Sequence, residues 1–224
     1  VEVSGPDRLT WLTSISSQVL TGIAPGESRE LLIMNPQGHI EHACGAIDDG
    51  QTLYLITEAS DAQALADWLN SMRFALRVEI TISQRWWLLG SIGESGVSQC
   101  DQVALTWNDP WPGIVDGGAA YYQGKHPGES LAFHIHLVPR EQAREFWREW
   151  SEAAPKRRAA GIAAWEATRI AAWRPRLGHE TDARSMPAEL DWLRTAVHTN
   201  KGCYRGQEAV ARILNLGRPA RRLV

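Results

Sequence analysis

Apolar positions along the first third of the chain alternate between two spacings. Leu9, Leu12 and Ile15 recur at helical spacing behind the turn Ser4-Gly-Pro-Asp7, which predicts a short amphipathic helix. Residues 29–34 form a short apolar run, ended by the turn sequence Asn35-Pro-Gln-Gly38. Residues 39–47 read as the returning strand of a hairpin. Asp48-Asp-Gly50 then turns the chain into a third strand over 52–57. Ser60-x-x-Gln63 reads as a capping box, behind which Ala62, Leu65, Leu69 and Met72 repeat as a helix stripe. A last strand runs over 76–82.

The pattern then repeats in outline. Residues 86–92, 103–107 and 131–138 read as strands. Pro139 opens a helix carrying Ala143, Phe146, Trp147 and Trp150 on one face. The stretches 108–113, 116–118 and 121–129 read as exposed loops. Two runs of strands, each followed by a helix, predict a duplicated α+β architecture. Residues 1–83 are the first unit and 84–154 the second. Glu152-Ala-Ala-Pro155 and Lys156-Arg-Arg158 separate them from a helical segment over 155–216. In that segment Ile162, Trp165, Glu166, Arg169, Ile170 and Trp173 fall at helical spacing, ending before Pro175. A short helix with Pro187 in its first turn follows. Residues 217–224 read as the start of a further strand.

Composition narrows the class. At 224 residues, 44% hydrophobic, 22% charged and net charge −3, the chain reads as globular with no global pull toward nucleic acid or membrane. No apolar run approaches the roughly 20 residues of a membrane span. Cys44, Cys100 and Cys203 are far apart and odd in number, and no Cys-x-x-Cys pair occurs. This predicts a reducing, cytoplasmic compartment and no cysteine-only metal centre. Eleven tryptophans point to large, half-buried aromatic surfaces.

The densest chemistry lies in residues 199–212. Cys203 stands between the cations Lys201 and Arg205, with Gly202 and Gly206 freeing the backbone and a helix-forming run behind. A thiol at a helix entrance flanked by cations is biased toward thiolate. A small buried cysteine in a basic turn is the structural alternative. Arg169 and Glu166 fit either an intrahelical ion pair or the wall of a ligand cavity. His134 and His136 share a strand face without a matching carboxylate or cysteine, so no metal site is assigned. From Lys201 onward, six Lys or Arg face one acid, Glu208, a field suited to an anionic partner, RNA included.

The motif Lys201-Gly-Cys-Tyr-x-Gly-Gln-Glu208-x-x-x-Arg212 resembles the signature of the YgfZ family, folate-binding proteins of iron–sulfur protein maintenance related to the glycine-cleavage aminomethyltransferase. Gly5-Pro-Asp-Arg8, Trp11-Leu12, Ser17-Gln18, residues 72–78 and residues 169–182 resemble further family segments. The resemblance implies two ferredoxin-like α+β units around a central folate cavity. It also implies a small C-terminal β-barrel, of which residues 217–224 are only the start. It assigns Cys203 as the essential reactive thiol and Lys201 as its electrostatic partner. Lys201, Tyr204, Gln207, Glu208 and Arg212 hold the loop and contact the ligand, with Arg169 and Glu189 as further folate-binding residues. The implied cofactor is tetrahydrofolate or a one-carbon derivative. A single cysteine leaves room only for a transient iron–sulfur cluster shared with a partner. The implied partners are iron–sulfur client proteins and, through members that act in tRNA thiolation, tRNA.

Two departures stand out. The aminomethyltransferases use an aspartate near the strand that starts the second unit, where Thr81-Ile-Ser-Gln84 offers no carboxylate. The acid they carry after the arginine matched by Arg169 falls in Ile170-Ala-Ala-Trp173, leaving Glu180 or Glu189 as substitutes. A folate-binding accessory protein is thus the leading expectation, a tetrahydrofolate-dependent aminomethyltransferase the alternative, and an RNA-binding module the third.

Overall fold

The computed structural model describes residues 1–122, 124–153 and 158–222. The expected basic separator around 154–157 and the last residues of the expected final strand, 223–224, lie outside them. The chain is a mixed α+β fold built on two antiparallel sheets.

The larger sheet holds β1 (Glu2–Ser4), β2 (Ser28–Met34), β3 (Ile40–Asp48), β4 (Thr52–Ile56) and β5 (Glu79–Thr81), in the order β2-β3-β4-β1-β5. The hairpin and the third strand fall where the apolar spacing predicts. Strand β1 was not foreseen, because three residues show no periodicity. It fills the gap between β4 and β5, with Val3 paired to Leu53 on one side and Ile80 on the other. Strand β5 is shorter than the 76–82 run.

Helices α1 (Arg8–Ile15) and α2 (Ala62–Met72) cover one face of this sheet. Strand β2 is buried on both faces. Leu31 and Ile33 pack into the cluster with the two helices, and Leu32 and Met34 pack into the cluster formed by residues 188–213. That two-sided burial explains why β2 reads as continuous apolar sequence rather than alternation. The capping box is not formed. Asp61 occupies the cap position without capping, and its carboxylate instead takes His42 Nδ1 at 2.8 Å and the Thr57 hydroxyl at 3.0 Å.

The smaller sheet holds β6 (Trp86–Ile92), β7 (Leu105–Asn108) and β8 (Phe133–Pro139), in the order β6-β8-β7. Pro139 ends β8 rather than opening a helix. A 3-10 turn intervenes, and α3 (Ala143–Ala153) begins after it. Phe146 and Trp150 of the α3 stripe are buried against the sheet, whereas Trp147 is exposed. Among the described residues, the second run holds three strands and α3, where residues 1–83 hold five strands and two helices. Helices α4 (Ile162–Ala171) and α5 (Gln207–Leu216) follow. No helix among the described residues is long and apolar enough to cross a membrane.

The sheets meet where β7 crosses β2 and β3. Trp107 Nε1 donates to the Arg29 carbonyl at 2.7 Å, and Asn108 N–H to the Ser28 hydroxyl at 2.8 Å. The Trp107 ring lies flat against Gly45, where an added Cβ would sit 2.7 Å from Cε2. Ile47, Tyr54, Trp107 and Leu137 close this junction.

Gly45→Ala forces the Trp107 ring off β3. Overpacking of this kind costs about 1–3 kcal/mol, and calorimetry is expected to show a lower melting temperature with the secondary structure retained. An unchanged melting temperature would show that the sheets do not depend on this close approach.

Candidate functional site

A cavity of about 970 Å³ opens between the two sheets. That is the upper end of the range for small-molecule sites. Its walls come from β3, β6, β8, α3 and α4, and six tryptophans line it: Trp87, Trp107, Trp147, Trp150, Trp165 and Trp192. Trp165 of α4 stacks on Phe133 of β8 with centroids 3.8 Å apart. The high tryptophan content is therefore concentrated on one surface, suited to a flat aromatic ligand.

One part of the wall is charged. Arg174 is buried between two carboxylates. Its NH2 meets Glu30 Oε1 at 2.7 Å and its Nε meets Asp109 Oδ2 at 2.8 Å. Glu30 stands on β2 and also accepts from Trp192 Nε1 at 2.9 Å and the Thr195 hydroxyl at 2.6 Å. Asp109 follows β7 and accepts the Trp111 N–H at 3.1 Å. A tight turn after α4 places Arg174: Trp173 has φ +56°, and Arg174 N–H donates back to the Arg169 carbonyl at 2.8 Å. Burial pushes Asp109 up to about 6, against the pull of Arg174. The two carboxylates hold Arg174 charged. Its NH1 is buried with no hydrogen-bond partner.

A second network joins the wall to α4. Arg176 grips Glu58 at 2.6 Å and also Glu166. Arg169 pairs with Glu166 at 2.6 Å and Glu180 at 2.9 Å. These guanidinium contacts hold Glu166 down to about 2, Arg169 contributing most. Arg169 is thus an intrahelical partner, and the same helix lines the cavity through Ala164, Trp165 and Thr168. Both readings of that helix apply, to different faces. Arg169 itself is not part of the cavity wall.

The cysteine motif lies elsewhere. Its loop packs on the β2–β3 turn: Gly206, at φ +85°, sits so close that an added Cβ would be 2.7 Å from the Asn35 carbonyl. Cys203 and Gly202 are exposed. The two cations beside the thiol have other partners. Lys201 Nζ donates to the carbonyls of Thr13 and Ser16 at the end of α1 and lies 4.7 Å from the centre of the Tyr204 ring. Burial lowers Lys201 to about 8. Arg205 pairs with Glu41 at 3.0 Å. Gln207 accepts the Tyr204 N–H at 3.3 Å, while Glu208 and Arg212 face solvent. Glu189 pairs with Arg221 at 2.9 Å. None of Cys203, Lys201, Tyr204, Gln207, Glu208, Arg212, Arg169 or Glu189 lines the cavity.

The residues that do line it were passed over. Glu30 carried a readable signal, since an acid inside a two-sided apolar strand needs a partner. Asp109 falls in the 108–113 loop, where it and Trp111 are buried. The 121–129 stretch is also not wholly exposed: His126 is buried and meets Asp191 at 2.8 Å. Glu58, Glu94 and Asp109 supply the wall with carboxylates from positions other than 81–84. Among the described residues no group of three or more His, Cys, Asp or Glu could hold a metal ion.

Ser91 on the cavity wall bonds His136 Nε2 at 2.8 Å, and His136 Nδ1 meets the Thr106 hydroxyl at 2.9 Å. Burial, then the neighbouring His134, pushes His136 down to about 4. An unfolded imidazole takes a proton near 6.5, so stability from this group is present above 6.5 and is lost as pH falls toward 4. His136→Gln should flatten the slope of melting temperature against pH between 4 and 6.5, relative to wild type. An identical slope would show that His136 is not held neutral. Separately, Gly206→Ala combines a left-handed backbone with a clash against Asn35, and is expected to cost more than about 1 kcal/mol by chemical denaturation. A neutral variant would show that the loop is free to shift.

No family model matches the chain, and no curated protein matches it. Among solved structures, it is similar to the glycine cleavage system aminomethyltransferase T from Bartonella henselae, at 18% identity and a TM-score of 0.70. The match covers 97% of this chain and 61% of that one, so the chain spans about three fifths of its neighbour's length. At that identity the likeness is one of fold: a mixed α+β, aminomethyltransferase-like fold with the tryptophan-lined cavity between its sheets.

Proposed function

We propose that the chain binds a reduced folate, tetrahydrofolate or a one-carbon derivative, in the cavity between its sheets. The carrying observation is the cavity itself: about 970 Å³, walled by six tryptophans and closed by a charged cluster, in an aminomethyltransferase-like fold. A pterin ring is flat, aromatic and polar along its edge, which matches aromatic walls and a charged end. Trp165, Phe133 and Trp192 would hold the rings, Arg174 the polar edge, and Arg176 or Arg158 an anionic tail. Bound tetrahydrofolate would supply nitrogens that carry a one-carbon unit.

The finer reading follows the YgfZ resemblance: an accessory protein for iron–sulfur enzymes, with two ferredoxin-like units as the ancestral plan. What supports it is the separation of the two surfaces. Cys203 is exposed and lies outside the cavity, where a partner protein rather than a bound folate would reach it. Among the described residues no group of three or more His, Cys, Asp or Glu stands near Cys203, so in this reading an iron–sulfur centre would be one shared with a partner. The second reading, aminomethyl transfer, is favoured by the structural neighbour and by the carboxylates Glu58, Glu94 and Asp109 on the wall.

Calorimetric titration with tetrahydrofolate tests the cavity. Wild type and Cys203→Ala should bind equally. Ala164→Phe, which fills the α4 wall without removing an interior hydrogen bond, should weaken binding roughly tenfold or more. No binding in wild type overturns the folate reading. For the accessory role, Cys203→Ala should fold normally yet fail to sustain an iron–sulfur enzyme in cells that depend on this chain. Turnover of a methylamine-loaded carrier protein with tetrahydrofolate would replace the accessory reading with the aminomethyltransferase one.

A further inference from the structure

Four strands stand at sheet edges: β2 and β5 in the larger sheet, β6 and β7 in the smaller. An edge offers unpaired backbone N–H and C=O groups to any chain that lies beside it, so edges are normally covered, charged or short. Three of the four are. Ser17 lies along β2: its N–H donates to the Leu32 carbonyl at 2.9 Å, and its hydroxyl accepts the Leu32 N–H at 2.8 Å. Strand β5 has three residues and carries Glu79. Strand β7 has four, and the Ser28 hydroxyl accepts its Asn108 N–H. Strand β6 has none of these devices. Trp86-Trp-Leu-Leu-Gly-Ser-Ile92 runs for seven residues without a charge, a proline or a bulge.

The register shows which groups face out. Arg140 N–H donates to the Arg85 carbonyl and Gly93 N–H to the Ala132 carbonyl, and antiparallel ladders alternate residue by residue. The odd-numbered residues of β6 therefore bond β8, while Trp86, Leu88, Gly90 and Ile92 turn their N–H and C=O groups outward. Among the described residues no hydrogen bond reaches those outward groups. The edge is also apolar. Leu88 and Ile92 are each 47% exposed, and the exposed Trp147 and Ile162 stand with them along the cavity margin. Clustered apolar exposure of this kind marks an interaction surface.

We infer that β6 is an interface between two copies of this chain, paired antiparallel, edge to edge, about a twofold axis at Leu89. The ends of the strand select this occupant. Arg85 precedes β6 and Glu94 follows it, both exposed. Antiparallel self-pairing sets the Arg85 end of each copy beside the Glu94 end of the other, whereas parallel pairing sets like charges together. The outward groups select the register. A centre at Leu89 pairs the whole strand, Trp86 with the partner's Ile92 and Leu88 with the partner's Gly90. Other centres leave end residues unpaired. A self-complementary contact of this kind closes a dimer, and the two small sheets become one in the order β7-β8-β6-β6-β8-β7. The inference does not rest on the folate reading.

Sedimentation velocity on the purified chain over about 1–100 μM tests it, the range in which a modest interface dissociates. A dimer that dissociates on dilution is expected. A monomer throughout overturns the inference and leaves the folate reading standing. Leu88→Lys sets a charge on the edge at a position already exposed, and Leu88→Pro removes an outward N–H while sparing the ladder to β8. Each should raise the dissociation constant about tenfold or more, with an unchanged circular dichroism spectrum. A dimer indifferent to both uses another surface and overturns the inference. Cross-linking reads the register. At the twofold axis Leu89 faces its own copy in a non-hydrogen-bonded pair, with Cα atoms about 4.5 Å apart, within disulfide reach. In a Cys203→Ala background, which removes the exposed native thiol, Leu89→Cys should form a disulfide-linked dimer under oxidised glutathione. Ile92→Cys, whose two copies lie at opposite ends of the pair, should not. Any other pattern overturns the antiparallel pairing.

Discussion

The buried ion cluster of Arg174 with Glu30 and Asp109 is the constraint on which the rest depends. Each member comes from a different part of the chain: the middle of β2, the end of β7 and the turn after α4. Through Trp192 and Thr195 the Glu30 carboxylate also fixes the 190–197 segment, which is almost entirely buried. Removing the cation alone would leave two carboxylates buried together, and breaking such a cluster typically costs about 3–5 kcal/mol. Its net effect on stability is smaller, because desolvation offsets most of the attraction. What it supplies is placement: one corner where two sheets and a helix meet at fixed distances.

The cavity follows from that corner. The sheets touch closely where Trp107 lies on Gly45, and the buried ion cluster holds a second line of contact beyond it. Away from these contacts the cavity opens, and α4 lines it with Trp165 stacked on Phe133. The rim network of Arg176, Glu58, Glu166, Arg169 and Glu180 then ties α4 to β4 and to the 174–180 turn. Two clusters of opposite charges, one buried and one at the rim, thus set the size of an otherwise apolar chamber.

The elements were legible wherever a period had room to show. Residues 86–92 and the β2–β3 hairpin were readable from spacing and turn residues alone. Strand β1 was not, because pairing on both sides, rather than pattern, makes three residues a strand. The α2 cap failed for a related reason: His42 and Thr57, brought close only by the fold, draw Asp61 away from the helix end. At the site, sequence reasoning favoured the cysteine motif because its rare residues are contiguous. The residues around the cavity are scattered from Glu30 to Trp192, and no local window brings them together. The fold was recognisable from the resemblance. The charged end of its cavity required the tertiary structure.

The cysteine loop and the cavity are distinct surfaces joined by a short, rigid path. Glu30 holds Trp192 and Thr195. The next residue, Ala196, accepts the Ser17 hydroxyl at 2.5 Å, and Ser17 in turn takes the Leu32 N–H at 2.8 Å and its carbonyl takes the His198 N–H at 2.9 Å. Three residues on, Lys201 seals the end of α1 through Thr13 and Ser16. Every link is a buried or half-buried hydrogen bond, and most have a backbone group on one side. The segment held by Glu30 beside Arg174 therefore also carries the Cys203 loop. The motif's cations serve this anchoring rather than the thiol, and that explains why a lysine and an arginine can flank Cys203 while pairing with α1 and Glu41. The sulfur is left exposed on a loop whose position is set from inside the protein.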